Sequence, residues 1–172
     1  MDTNVIALYF PQFHRTKEND AWWGEGFTDW SNVKQGKPLY NGHRQPRVPM
    51  NDNYYDLADA DAIRWQANLA KQYGIGGWAI YHYWFDDHVQ ILEKPKELLR
   101  ANKDIDIPFC LTWANETWAR RWDGHDQNVL LRQTHTPSKE KWKTHFDYLL
   151  PYFRDSRAIR IDGKVLFQIY RP

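Results

Sequence analysis

Four short apolar runs, separated by three stretches that read as helix, constrain this chain more than any other feature of its sequence. The runs are Val5–Phe10 (VIALYF), Gly77–Phe85 (GWAIYHYWF), Ile107–Trp113 (IPFCLTW) and Val165–Tyr170 (VLFQIY). All are rich in β-branched or aromatic residues, and none alternates cleanly with polar ones. That pattern marks strands buried on both faces of a parallel sheet. Between them lie helical patterns. Asp59 to Tyr73 places Ile63, Ala67 and Ala70 on one stripe, with Asp59 as N-cap and Gly74 where a C′ glycine belongs. His88 to Asn102 is weaker, because Pro95 must start a new helix or kink the old one. Thr136-Pro137-Ser138 opens the third helix, whose stripe is Trp142, Phe146, Leu149, Leu150 and Phe153. Ile161-Asp162-Gly163-Lys164 offers a tight turn before the last strand. The order β-α-β-α-β-α-β predicts right-handed crossovers and an α/β fold with a parallel sheet. No internal repeat, low-complexity tract or linker interrupts residues 1–172, so a single domain is expected.

Two connections are long. Pro11 to Ala58 follows the first strand, and Ala114 to Pro137 follows the third. Connections beyond ~12–15 residues are uncommon in compact domains and are usually functional. Both leave strand C-termini, the edge that carries the site in parallel α/β proteins. The tryptophans concentrate there as well. Trp22, Trp23, Trp30, Trp84, Trp113, Trp118 and Trp122 sit at strand C-termini or just after, whereas Trp65, Trp78 and Trp142 lie in helices or early in a strand. Aromatic residues make up 16% of the chain. Tryptophan is rarely fully buried and its indole N–H needs a partner, so this placement points to a site as well as to packing.

Flat aromatic faces stack on the apolar faces of sugar rings, while carboxylates, amides, imidazoles and guanidinium groups bond the hydroxyls. Both kinds of residue meet in Trp22–Trp30 (WWGEGFTDW), Trp113–Trp118 (WANETW) and Arg120–Gly124 (RRWDG). A saccharide site is the favoured reading; the alternative is an aromatic minicore that pins two long loops. Glu116, flanked by Trp113 and Trp118, is the best single carboxylate, because an aromatic, partly dry pocket raises a carboxyl pKa and suits a general acid. Asp123 is its candidate catalytic partner. The competing role for Glu116 is a salt bridge to Arg120 or Arg121, or hydroxyl binding without proton transfer. Candidate substrate-binding residues are His14, Trp23, Glu25, Asp29, Trp30, Tyr81, His82, Trp84, Trp113, Asn115, Trp118, Arg121 and Trp122. Glu25 and Asp29 equally suit a capping role. His14 and His82 equally suit a core role satisfied by backbone. Arg120 and Arg121 suit a phosphate or internal pairing.

Several classes are excluded or disfavoured. A net charge of +1 rules out a nucleic-acid binder that works by bulk positive charge. The single cysteine, Cys110, excludes an intrachain disulfide and reads as a buried, inert thiol. The seven histidines lack metal-ligand spacing, and no dinucleotide or phosphate-loop motif is present, so no metal and no cofactor is expected. The longest uncharged apolar stretch, Gly74 to Phe85, falls short of the ~18 residues of a membrane span. With no basic, apolar leader at Met1-Asp2-Thr3-Asn4, a cytoplasmic location is expected.

At these same residues the chain resembles a known family. Ala7–His14 (ALYFPQFH), Trp22–Val33 (WWGEGFTDWSNV), Gly42–Pro49 (GHRQPRVP), Gly74–Phe85, Pro108–Gly124 (PFCLTWANETWARRWDG) and Asp162–Pro172 (DGKVLFQIYRP) are similar to the WbsX-type domain of bacterial polysaccharide biosynthesis, described as a glycosyltransferase and grouped with glycoside hydrolase family 99. The resemblance implies a TIM (β/α)8 barrel acting on mannose-like or related glycans without a metal. In that family the hydrolases are retaining endo-α-mannosidases whose mechanism is thought to use the sugar's own 2-hydroxyl. A whole barrel takes ~250 residues, whereas four strands in this chain correspond to half of one. The family's paired glutamates lie in a Glu-Trp-x-Glu-like motif of the C-terminal half, and no residue here matches it. A half-barrel leaves both sheet edges unpaired, so self-association or a complementary C-terminal half is expected. Three functional classes follow: a hydrolase-like domain, a glycosyltransferase of lipopolysaccharide or other cell-surface polysaccharide, and a non-catalytic carbohydrate-binding half-domain.

Overall fold

The computed structural model describes residues 4–85, 88–120 and 125–172. Its centre is a four-stranded parallel sheet of β1 (Val5–Tyr9), β2 (Ile75–His82), β3 (Phe109–Trp113) and β8 (Phe167–Ile169), in the order β1-β2-β3-β8. Ala7 pairs with Trp78, Trp78 with Phe109, and Leu111 with Phe167, which fixes the register across the sheet. The four strands fall within, or within two residues of, the four apolar runs. Sequential parallel neighbours joined by helices are the topology of a (β/α) barrel opened along one side.

Three helices cover one face. α3 (Ala60–Gln72) follows β1, α4 (Lys94–Ala101) follows β2, and α5 (Lys139–Phe153) follows β3. Asp59 caps α3 by accepting from the Asp61 N–H, and Gly74, at φ +79°, takes the left-handed turn into β2. Ser138 caps α5 by accepting from the Lys141 N–H. α4 is shorter than the 88–102 pattern because Pro95, which has no N–H to give, sits in its first turn.

Side chains alternate across the sheet. Trp78, Ile80, Phe109 and Leu111 point to the helices, where they form one core with Ile63 and Ala67 of α3, Leu99 of α4, and Leu149 and Tyr152 of α5. Tyr9 stacks on Trp78 there, ring centroids 4.3 Å apart. Arg157 closes this layer from below. It donates to the carbonyls of Leu99, Asn102 and Ile105 and to the buried carboxylate of Asp155. Lys103 also pairs with Asp155. Burial works to raise the Asp155 pKa, but these bonds outweigh it and hold the carboxyl below the usual carboxylate range. Cys110 is buried in β3, and burial pushes its thiol up to about 11.

Among the described residues, none of the three helices that join the strands lies on the opposite face. Leu8 is 59% exposed and Phe10 and Tyr170 are about half exposed. β1 and β8 each have a strand on one side only among the described residues. The long connections are not structureless. The first carries two seven-residue helices, α1 (Lys17–Trp23) and α2 (Asp29–Gln35), and a 3-10 turn at Met50–Asp52. The second carries an antiparallel ribbon of β4 (Trp118–Arg120) and β5 (His125–Leu131). A small hairpin, β6 (Arg160–Ile161) with β7 (Lys164–Val165), turns at Asp162-Gly163 as expected. No helix among the described residues is long and apolar enough to cross a membrane.

Candidate functional site

The strands β1, β2, β3 and β8 all end at the same edge, and the open face of the sheet there becomes a cleft. β2 sends Tyr81 and then Tyr83 to that face. Phe10, just past β1, stacks on Tyr81 at 4.2 Å. Gln12 donates from Nε2 to the Tyr83 hydroxyl at 3.0 Å. Tyr170, past β8, meets Tyr81 at 6.0 Å. The two long connections supply the walls. Thr16 caps α1 by accepting from the Asn19 N–H at 3.1 Å. Thr28 and Ser31 form a capping box on α2, which places Asp29 in its first turn. From the other side, Trp118 of β4 sets its edge against Tyr83, 5.1 Å away. Arg120 ties the ribbon to α1, donating to the Trp22 carbonyl at 2.7 Å and lying 5.0 Å over the Trp23 ring.

The enclosed cleft measures about 270 Å³. Trp23, Tyr81, Trp118 and Tyr170 give it aromatic surface, and Asp29 and Glu116 are the carboxylates among its described lining residues. Glu116 forms an ion pair with Arg171, not with Arg120. Burial raises the Asp29 pKa above the ordinary carboxylate value. Burial also raises Tyr81, with the Tyr170 and Glu116 charges adding to it. A carboxyl whose neutral form burial favours and one paired with a cation, lining the same cleft as flat rings, form a set that can bond sugar hydroxyls and stack a sugar face. Among the described residues no cluster of histidine, cysteine or acidic side chains is arranged to hold a metal ion.

Five of the residues singled out from sequence meet in this cleft: Trp23, Asp29, Tyr81, Glu116 and Trp118. The others stand elsewhere. Glu25 is exposed and pairs with Arg15 at 3.2 Å. Trp30 donates to the Tyr55 carbonyl at 2.8 Å and packs with Phe13, Tyr54 and Tyr55, which is the minicore alternative realised in one loop. Asn115 is buried and bonds the Arg171 backbone twice, donating to its carbonyl at 2.7 Å and accepting from its N–H at 2.8 Å, so it clamps the ends of β3 and β8 together. His14 is buried. His82, Trp84 and Trp113 point the other way, toward α5: His82 Nε2 meets His145 Nε2 at 2.8 Å, Trp84 stacks on His145 at 4.6 Å, and Trp113 donates to the Trp84 carbonyl at 3.1 Å. Asp123, Arg121 and Trp122 lie outside the described residues. Phe10, Gln12, Asn19, Tyr83, Thr117 and Tyr170 line the cleft without having been singled out. The two-residue period was the available signal for Phe10 and Tyr83, since both register with Tyr81 on one face.

The sequence profile of the family described as "Glycosyltransferase WbsX" matches residues 5–172. Two curated relatives, each called "Uncharacterized protein WxcX", come from Xanthomonas campestris pv. campestris strains B100 and ATCC 33913. Each is 42% identical over 172 residues, which is all of this chain and 24% of the relative. The chain therefore spans about a quarter of the length of these relatives. Among solved structures, the GH99 endo-α-mannosidase from Bacteroides thetaiotaomicron in complex with bis-tris propane superposes with a TM-score of 0.54 at 15% identity, over 98% of this chain and 42% of that one. A second structure of that mannosidase gives 0.52 at 16% identity, over 98% and 45%. The likeness shows the fold: the four parallel strands and the three helices between them correspond to part of a TIM barrel.

Proposed function

This chain belongs to the WbsX glycosyltransferase family, and from that premise we propose that it is a carbohydrate-active domain of polysaccharide metabolism whose cleft binds a pyranose unit of a mannose-like glycan. The observation that carries the reading is the joining of stacked aromatic surface with Asp29 and Glu116 at the C-terminal edge of the strands. Trp118 and Trp23 offer ring faces and edges to the sugar. Asp29 and Glu116 bond its hydroxyls. No lysine or arginine is among the described residues lining the cleft. A nucleotide-sugar donor would bring a diphosphate that calls for such cations; Arg171, paired with Glu116, and Arg120, over Trp23, are described cations that touch lining residues. The family's description favours a second reading, in which the protein transfers a sugar onto a glycan held here. Both readings rest on the same binding step.

Calorimetric titration of the chain with manno-oligosaccharide tests it. Trp118→Ala is expected to weaken binding by about tenfold, which corresponds to ~1.4 kcal/mol, and Glu116→Gln to weaken it by less. Binding indifferent to both substitutions overturns the assignment.

The open face supports a partner of the kind a half-barrel needs: a complementary set of β/α units pairing along β1 and β8 and covering Leu8 and Phe10. The chain spans less than half of each mannosidase structure it resembles, which leaves length for such a half in a full barrel. Alone, the chain is expected to self-associate through this face. Sedimentation that gives a clean monomer at all concentrations refutes that expectation.

A further inference from the structure

Across the sheet from the cleft, between α5 and the ends of β2 and β3, lies a second cavity of about 160 Å³. Trp113 lines it, whereas the next residue, Ala114, lines the cleft, so the two open on opposite sides of one strand. Its walls include the indoles of Trp84, Trp113 and Trp142 and the imidazoles of His88, His135 and His145. Nothing in the cleft's proposed chemistry uses these groups.

The hydrogen-bonding roles of two imidazoles follow from their partners. His135 Nε2 lies 3.0 Å from the Asn115 carbonyl oxygen. A carbonyl can only accept, so this nitrogen carries the hydrogen, and in the neutral ring Nδ1 is left as an acceptor. His82 and His145 meet Nε2 to Nε2 at 2.8 Å, so one donates and the other accepts. Burial depresses both pKa values, that of His145 to about 4, which makes both rings neutral at neutral pH. His82 is fully buried, and its Nδ1 has no partner among the described residues. Buried orphan N–H groups are rarer than orphan acceptors, so His82 holds its hydrogen on Nε2 and donates. His145 Nε2 then accepts, and the His145 hydrogen sits on Nδ1, which has no partner among the described residues.

The cavity thus offers a donor at His145 and an acceptor at His135. Gln133 and Lys141 are also in its wall. Trp142 stands 59% exposed at the rim, with no ring stacked on it among the described residues. A donor, an acceptor, an ammonium group and an exposed indole face call for a ligand that has an apolar face and bears neighbouring groups able both to donate and to accept. Vicinal hydroxyls on a sugar ring meet that description. The volume, smaller than that of the cleft, suits one ring and not an extended chain.

We propose that this cavity is a second saccharide site, which takes a single neutral pyranose with its apolar face on Trp142 and adjacent hydroxyls on His145 Nδ1 and His135 Nδ1. The site shares with the cleft only the reading that the domain handles glycans. It holds a different sugar unit from the one in the cleft, because the sheet separates the two.

The test is an NMR titration of the full chain with methyl α-mannopyranoside and, separately, methyl β-glucopyranoside, following indole N–H and imidazole ring signals. The expected result is a saturating shift of the Trp142, His135 and His145 signals with at least one glycoside. Trp142→Ala, a change at an exposed position, should weaken the His135 and His145 response tenfold or more. Wild-type signals of all three residues that stay unmoved by both glycosides overturn the proposal, as does an undiminished histidine response in Trp142→Ala. The cleft reading has its own reporters, Trp23 and Trp118, so its failure shows as silence there and is separate from failure here.

Discussion

The two faces of this sheet are built from the same residue types and behave differently. On the helix side, Trp78, Ile80, Phe109 and Leu111 disappear into a core shared with three helices. On the other side, Leu8, Phe10 and Tyr170 carry equally apolar surface with no layer over it. The difference teaches that residue type sets how much burial a chain wants, while the connections decide which face receives it. Every helix that returns from one strand to the next falls on one side, as right-handed crossovers require. The open side is left to the strand-end loops, which roof it only at the mouth.

The sharpest way to break this comparison is to disturb the closed face and the open face separately. Arg157→Ala removes the donor to three carbonyls and one of the two cations on the buried Asp155 carboxylate, leaving Lys103. Breaking a buried pair of this kind costs ~3–5 kcal/mol. At about 2–4 °C per kcal/mol for a chain of this size, the melting temperature should fall by ~6 °C or more. Leu8→Ala, on the open face, should stay within ~0.5 kcal/mol at concentrations low enough to keep the chain monomeric, as exposed substitutions do. Chemical denaturation of both variants measures the contrast; equal losses would mean that the open face is not open in solution.

A smaller effect sharpens the same contrast at the mouth. Burial raises the Asp29 pKa, so the fold favours its protonated form. The stability tied to that preference is fully present below the unfolded carboxylate value of ~3.9 and is lost as pH rises through the raised folded value. Asp29→Asn should therefore melt higher than the parent at pH 7, by a few degrees at most, and the advantage should vanish in melts below about pH 4. Its glycan affinity should fall at the same time. A variant that is less stable at pH 7 would show that Asp29 holds the loop and does not serve the cleft.

Much of the fold was legible because its signals are local. Buried strands demand continuous apolar runs, and α3 and α5 announce themselves by stripe and cap. The seven-residue helices α1 and α2 were not legible as helices. Each is too short for an apolar stripe and is held by the capping residues Thr16 and Thr28. The ribbon β4–β5 was missed because its second strand opens on the polar run His125-Asp126-Gln127-Asn128. For the proposed site, the sequence pointed to the strand-end edge of the sheet but not to one of its two sides. Trp84 and Trp113 do stand at strand ends, yet they share parity with Trp78 and Leu111 and so face the helices. Glu116 was legible as a carboxylate of the strand-end loops, and it lines the proposed cleft. Its ion-pair partner was not, because Arg171 stands 55 positions away and only β3–β8 pairing brings it close.

The sequence by itself determined the parallel β/α order, the strand cores, the family, and the edge where aromatic and acidic residues collect. These depend on periodicity and on neighbours a few residues apart. Only the tertiary structure decided that the aromatic residues divide into a carboxylate cleft and an imidazole pocket back to back. A strand turns successive side chains to opposite faces, so residues adjacent in the chain became parts of two different chambers. Which chamber each one joined was fixed by the pairing register and by which layer covered it.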